Sequence, residues 1–423
     1  MKSRRDEIYT AVEIGTHSIK IMLGEFLHDE HLSILAYHEQ PSLKMCKAEA
    51  LDTRVVGEQV ALALNGAEQA AGFPIEGPVF MAISGAFIET VKISAKLEIE
   101  DPSGLIREED LAEATRRAND YEVPSGKLLL TQSVNRLFRL ADGRILFNPV
   151  GQCSRFLEVE IQHFLADKER ANTTYCLLAE ALGKLEVSTV IYTPLALSAA
   201  VFPPGSSDEA LDLVIDLGAG MCSLAIPTSA GYFYLGQISI GCEHIANDLA
   251  IALELPIQTA RALLVQMADL HCNALATRDK RARMVDIRPE RQNKLRRIPA
   301  SSIELVVETR LRELFELIRR QLTDNGAYSW LGNRVYLSGG GARIPQVCDL
   351  AATVFNRPVS IAQPYDVTNR IGMPLQPQHN TVIGLLKAGR RDLLVAREVA
   401  RQKSLLGNTL EWWKNAWQTI TDW

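Results

Sequence analysis

Short apolar runs that end at glycine recur along this chain. The run "IYTAVEIG" is β-branched and apolar, closes on an acidic residue and a glycine, and leads directly into a second strand-like run, "HSIKIMLGEF". The same grammar returns as "LDLVIDLGAG" followed by "MCSLAIPTSAGYFYLG". Each unit is an apolar strand, a carboxylate, a glycine turn and a second strand. Their repetition predicts two similar α/β lobes facing each other. A third glycine turn, in "NRVYLSGGGARIPQVCDLAATVF", stands between an apolar strand and a helix. Between the repeats, "PVFMAISGAFIETVKISAKLEI", the helical "REEDLAEATRRANDY" and the strands "LLLTQSVNRLFRL" and "SRFLEVEIQHFLA" form a β-α-β-β stretch, enough for a small inserted domain. "VFPPGSSDEALD" is a polar, proline-rich connector between the lobes. Farther on, "SSIELVVETRLRELFELIRRQL" repeats its apolar residues at helical spacing.

The last residues are unusual. Four of the five tryptophans lie between Trp412 and Trp423. Placed on a helix, Leu405, Leu406, Leu410, Trp412, Trp413, Trp417, Ile420 and Trp423 share one side, while Glu411, Asn415, Gln418 and Asp422 share the other. Tryptophan favours the boundary between lipid and water. The preceding "KAGRRDLLVAREVARQK" is net basic, which suits an anionic lipid surface. The tail reads as a helix lying on a membrane rather than crossing it.

Composition changes the picture little. The 423 residues carry a net charge of −6, so there is no global attraction to nucleic acid and none is expected as a partner. The seven cysteines include no CxxC pair, which reads as reduced, buried thiols in a cytosolic protein. No HExxH motif, signal peptide or membrane-spanning apolar run is present. The basic run from Arg278 to Arg297 is a solvated loop or a docking surface for an acidic peptide.

Three glycine turns after apolar strands form a phosphate-binding grammar. Glycine permits close backbone approach, and successive N–H groups then converge on the anion. No GxxxxGK[ST] motif and no GxGxxG after the first strand is present.

"AVEIGTHSIKIMLGEF", "VIDLGAGMCSLAI" and "VYLSGGGARI" resemble the phosphate-1, phosphate-2 and adenosine motifs of the actin/Hsp70/sugar-kinase ATPase superfamily. Within it, "NPVGQCSRFLEVEIQHFLA", "ISIGCEHIANDLAIALELPIQTARALL", "ETRLRELFELIRRQL" and the amphipathic tail are similar to the FtsA family of bacterial division proteins. The resemblance covers residues 8–423. It implies an α/β, actin-like two-lobed ATPase fold with an inserted small α+β domain and a C-terminal amphipathic helix. The expected first lobe is 1–83, completed by 166–205 and about 360–390, with the inserted domain at 84–165. The expected second-lobe core is 206–250 and about 315–359, with an outer subdomain at 251–314. A linker at 391–404 and the membrane helix at 405–423 follow.

The resemblance also implies ligands and roles. Glu13 and Asp216 would reach Mg²⁺ through water. Gly15, Thr16 and His17, with Gly218, Ala219 and Gly220, would hold the phosphates of ATP. Gly241 and Asp248 would open the next helix, and Gly339, Gly340, Gly341 and Arg343 would hold adenosine. Ala219 and Met221 depart from the family's glycine and small polar residue. Thr193 stands where hydrolytic relatives keep Glu or Gln, so at most slow ATP hydrolysis is expected, with ATP acting first as a conformational ligand. Implied partners are the C-terminal tail of FtsZ, through Arg297 and Arg310, further copies of the chain in a head-to-tail filament, anionic lipid and other division proteins. The implied location is the cytoplasmic face of the cell membrane at the division site. The alternatives are a PilM-like pilus-assembly ATPase, a sugar or acid kinase, for which the chain offers no convincing catalytic Asp, and a non-hydrolysing scaffold with a degenerate nucleotide site.

Overall fold

The run read as the first strand spans Ile8–Ile14 and hairpins onto Ser18–Phe26 in antiparallel register. These coordinates come from a computed structural model, which describes residues 7–27, 30–205, 211–229, 231–270, 284–287 and 296–406. The hairpin forms the middle of a six-stranded sheet in the order Val187–Tyr192, Val79–Ile83, Ile8–Ile14, Ser18–Phe26, Leu32–Pro41, Val367–Asn369. Side chains alternate across its plane. Val12 and Ile14 pack beneath the helix Thr53–Ala71, whereas Tyr9 and Ala11 pack with Ile383 and Leu386 of the helix Asn380–Leu406. Both faces are covered, which explains why these strands read as near-continuous apolar runs.

The second lobe repeats this plan. Leu213–Leu217 hairpins onto Cys222–Thr228 inside a five-stranded sheet whose other strands are Gly231–Ile238, Val335–Ser338 and Val359–Ile361. The run "MCSLAIPTSAGYFYLG" is two strands, not one, and a register shift sits at Pro227, which cannot donate to the ladder. Leu213, Ile215 and Leu217 face the helices Cys242–Ala252, Ala300–Asp324 and Val347–Phe355. On the opposite face, Val214 and Ala225 meet Leu197 of the helix Thr193–Val201.

That helix and Asn380–Leu406 lie between the lobes and touch at Gly384. A β-carbon at Gly384 would stand 1.7 Å from the Ala196 carbonyl oxygen. The inserted strands Ile88–Glu98, Lys127–Leu140 and Phe156–Asp167 form a separate sheet, which closes its own core over Ala114 and Ala118 of the helix Glu108–Asn119. It rests on the second lobe along the strand Lys127–Leu140, which packs beside Gly231–Ile238 with Leu137 on the core, and through Phe147, whose ring lies 6.0 Å from Phe233 and 6.4 Å from Trp330.

Two boundaries and the state of the cysteines differ from the sequence reading. The expected division at 314/315 falls inside a single helix, Ala300–Asp324, because its apolar stripe runs unbroken from Ile303 to Leu322. The linker expected at 391–404 is the second half of Asn380–Leu406. It has no proline or glycine after Gly389 and is rich in strong helix formers. Buried thiols are found only at Cys222 and Cys242 among the described cysteines, while Cys46 and Cys153 are exposed. The expected tail helix begins at the end of Asn380–Leu406 with Leu405 and Leu406. Leu410, Trp412, Trp413, Trp417, Ile420 and Trp423 lie outside the described residues.

Candidate functional site

Glu13 and Asp216 are the penultimate residues of the two matching strands, and both line one cleft of about 370 Å³ between the lobes. In each hairpin the carboxylate is paired across the ladder with the residue seven positions later. Glu13 faces Lys20 and Asp216 faces Ser223. Lys20 donates to Glu13 Oε2 at 3.0 Å. Burial alone would lower the Lys20 ammonium, but Glu13, Glu39 and Asp216 together hold it above its ordinary range. Burial and the nearby Glu13 push Asp216 up to about 7, against the pull of Lys20.

Glu39 arrives from the third strand. It accepts from Ser18 Oγ at 2.5 Å and from Tyr37 Oη at 2.8 Å. Burial opposes its ionisation, yet the Ser18 bond and Lys20 keep its carboxyl below the usual range. His379 is buried beside this wall, its ring 4.7 Å from that of Tyr37. Burial first, then Lys20, holds its imidazole down at about 4, and its Nδ1 accepts from the Gln376 N–H at 3.0 Å. The cleft therefore gathers three carboxylates around one lysine and has room for a divalent cation. Among the described residues no three His, Cys, Asp or Glu side chains converge as a metal cage. A cation here would keep most of its own water, as Mg²⁺ does.

The expected turns also line the cleft. Gly15, Thr16 and His17 come from the first hairpin, and Gly218, Ala219, Gly220 and Met221 from the second. The two turns approach closely, since a β-carbon on Gly220 would stand 2.4 Å from Thr16 Oγ1. Gly241 caps the helix Cys242–Ala252, and that helix start is tied back by Cys242 N–H to the Gly218 carbonyl at 2.9 Å and by Glu243 N–H to the Ala219 carbonyl at 2.8 Å. The helix start thus holds the second glycine turn in place at the cleft, its own first N–H groups being bonded to that turn.

Gly339, Gly340, Gly341 and Arg343 form the third wall. Gly339 is at φ +81, where an added β-carbon would meet Asp216 Oδ1 at 2.7 Å. Gly340 opens onto free space. The turn Gly340–Arg343 is a 3₁₀ segment, and the following helix starts only at Val347. Leu264, Val265 and Ala268 add an apolar wall, and Arg261 donates to Glu243 Oε1 at 2.6 Å beside it.

Thr193 lines the cleft as well, but its hydroxyl donates to the Ile83 carbonyl at 2.9 Å. It offers no group able to take a proton from water at neutral pH. Asp248 is not part of the cleft. It binds Arg310 at 2.5 Å and 3.0 Å, and Arg310 also meets Glu313 at 2.8 Å. Arg310 is thus a tie between two helices. Arg297 is exposed on the ribbon Met284–Ile287/Arg296–Pro299, bonded to Asp286 at 3.0 Å. Most of the basic run lies outside the described residues.

Sequence reasoning missed Lys20, Glu39 and His379. Lys20 had a signal in its spacing from Glu13, repeated between Asp216 and Ser223. The other two reach the site from remote segments and leave no local pattern.

The family model described as "Cell division protein FtsA" matches residues 213–384. A Cell division protein FtsA of Pseudomonas aeruginosa is 25% identical over 393 residues, covering 90% of this chain and 89% of the relative. That of Escherichia coli K12 is 24% identical over 426 residues, covering 99% of each. Among solved structures, a chain of the PilM-PilN type IV pilus biogenesis complex superposes with a TM-score of 0.57 at 14% identity, covering 92% of this chain and 99% of its own.

Proposed function

We propose that this chain, which is similar to cell division proteins FtsA and has an actin-like fold, binds ATP with Mg²⁺ and tethers division filaments to a membrane. One observation carries the nucleotide reading. Two strand–carboxylate–glycine hairpins face each other across a single cleft, with the ammonium of Lys20 between their carboxylates. The glycine turns would supply N–H donors for phosphates, and the Gly241 helix start braces the second turn from behind through its bonds to the Gly218 and Ala219 carbonyls. Gly339–Gly341 and the Leu264–Ala268 wall supply a flat, partly apolar surface for adenosine. Bound Mg²⁺ would neutralise phosphate charge, and Glu13 and Asp216 would hold its water shell.

Catalysis of phosphoryl transfer is mainly positioning. Thr193 is committed to the Ile83 carbonyl, and Met221 presents an apolar side chain to the cleft. Turnover is therefore slow, and ATP serves as a conformational ligand for head-to-tail assembly into open filaments. In this reading the second lobe receives the FtsZ tail. Arg297 is the better candidate there, because Arg310 is already held by Asp248 and Glu313. The tryptophan-rich tail supplies the membrane contact on the cytoplasmic face at the division site. The tail also separates this reading from a PilM-like one, in which a membrane partner's peptide replaces it.

Calorimetry of ATP binding with and without Mg²⁺, together with steady-state turnover, tests the site. Metal-dependent binding with turnover far below the roughly 10 s⁻¹ enzyme median is expected. Absence of ATP binding would overturn the nucleotide reading. Turnover near that median would assign water positioning to another residue.

A further inference from the structure

The inserted domain joins the first lobe through a short neck, Ser84–Phe87, and that neck starts at the cleft. Ser84 lines the cleft wall. Gly85, the next residue, donates its N–H across the lobes to Gln237 Oε1 at 3.3 Å. Gln237 in turn donates from Nε2 to Ser223 Oγ at 3.2 Å, and Ser223 stands across the hairpin from Asp216. The Gln237 carbonyl faces Gln321 Nε2 at 3.4 Å, so the residue is bonded at its backbone as well as at its amide.

A second path reaches the same neck from the other phosphate turn. The small hairpin Met45–Cys46/Glu49–Ala50 leans over the cleft. Its Ala48 N–H donates to Thr16 Oγ1 at 3.2 Å, and Lys47 lies so near Gly220 that a β-carbon there would be 3.1 Å from Lys47 Cα. Lys44, Lys47 and Ala48 hold φ values of 60, 48 and 62, a region that non-glycine residues occupy only when their surroundings impose it. Glu49 at the end of this hairpin is ion-paired with Arg170, and the Arg170 guanidinium lies 5.1 Å from the centroid of the Phe87 ring. Phe87 is buried with Ile83, Ala166 and Ala171, where the chain leaves for the inserted domain and returns from it.

Two contact chains thus begin at the two phosphate turns, in different lobes, and end at one neck. We infer that ligand occupancy of the cleft sets the orientation of the inserted domain through Ser84–Phe87, with Gln237 and Arg170 as the positioning residues. The inference rests on the nucleotide reading above. A ligand shifts a conformational equilibrium only by contacting its states differently. The Gly85–Gln237 bond bridges the lobes beside the site, so a change in their separation acts on it directly. The inserted domain also touches the second lobe directly, where Lys127–Leu140 packs beside Gly231–Ile238 and Phe147 meets Phe233 and Trp330, and those contacts must slide when the neck turns.

Hydrogen–deuterium exchange on the full-length protein, with and without ATP and Mg²⁺, tests this alongside calorimetric ATP affinity. ATP should slow exchange in peptides covering 84–98 and 156–167 by at least about threefold in the wild type. Gln237→Leu should keep ATP affinity within about threefold of wild type and lose most of that response. Arg170→Met should do the same by the second path, and it carries the test if Gln237→Leu shows a collapsed melting temperature. ATP binding without any change in 84–98, or a wild-type-sized response in both folded variants, would overturn the coupling and leave the nucleotide site standing. A wild type that fails to bind ATP would overturn both.

Discussion

Asp216 shows how one carboxylate can tie stability to ligand binding. Burial and Glu13 push it up to about 7, whereas an unfolded aspartate titrates near about 3.9. The folded value lies above the unfolded one. Retaining the proton therefore stabilises the fold fully below about pH 4, and the contribution is lost as pH rises through about 7. Asp216→Asn should flatten this part of the pH dependence, read as urea midpoints between pH 4 and 8. A metal held near Asp216, as proposed above, would have to displace the same proton. From a value of about 7, the ionised fraction rises roughly tenfold between pH 6 and pH 8. The gain in ATP affinity on adding Mg²⁺ should rise by about the same factor, and calorimetry at the two pH values reads it. A gain independent of pH would remove Asp216 from the metal site. Arg310 is the structural counterpart. Its bidentate pair with Asp248 is about three-quarters shielded, while the Arg297–Asp286 pair is mostly exposed. Arg310→Ala should lower unfolding free energy by about 1–2 kcal/mol, because it also strands Asp248. Arg297→Ala should change it by less than about 0.5 kcal/mol. Equal effects in denaturant titrations would contradict this ranking.

At the scale of elements, Thr193–Val201 crosses Asn380–Leu406 at a joint that leaves no room for a β-carbon. Gly384 lets the two backbones meet, and Gly389 does the same under the Phe80 ring, where a β-carbon would stand 2.3 Å away. Gly384→Ala forces the helices apart. Overpacking costs typically 1–3 kcal/mol, and contact with a backbone carbonyl puts this change at the upper end, about 3 kcal/mol. Guanidinium midpoints read it, and a loss below about 1 kcal/mol would show that the joint yields freely. These two helices explain what was legible in the sequence and what was not. The strand–carboxylate–glycine units were readable because strand, turn and ligand-facing residue are consecutive. The long helix Ala300–Asp324 was readable from its stripe. The continuation of Asn380–Leu406 through 391–404 was missed because a stretch rich in charge carries no clear periodic apolar signal, although its residues are good helix formers. Lys20 could be reached by counting from Glu13 once the hairpin was assumed. Glu39 and His379 could not, because the third strand and the segment before the last helix reach the cleft only through the tertiary fold.

For the whole molecule, the question is what the two-lobed body is attached to. The helix Asn380–Leu406 leads out of the first lobe toward the tail, and its basic start is already occupied. Arg391 is bonded to Glu30 at 2.8 Å, and Arg390 lies 4.5 Å from the centroid of the Phe26 ring. In the sequence, Arg397, Arg401 and Lys403 follow nearer the tryptophans, as basic residues suited to an anionic lipid surface. Each fully buried large apolar side chain is worth roughly 1.5–3 kcal/mol, and burial among headgroups is only partial. Ordering the backbone costs roughly 1–2 kcal/mol per residue. The margin for one tail is small, so binding should be reversible for a single copy and strong for an array, where linked tails raise one another's effective concentration. Trp413 and Trp417 lie deep in the apolar arc of the tail sequence. Replacing both with Glu should release the protein from liposomes containing anionic lipid in a flotation assay and leave ATP affinity unchanged. A tail folded back on the body predicts the opposite pattern: the double substitution would lower the melting temperature, and the wild type would stay with the soluble fraction. A double variant that still floats, or a wild type that never does, would end the membrane reading while leaving the cleft and its nucleotide untouched.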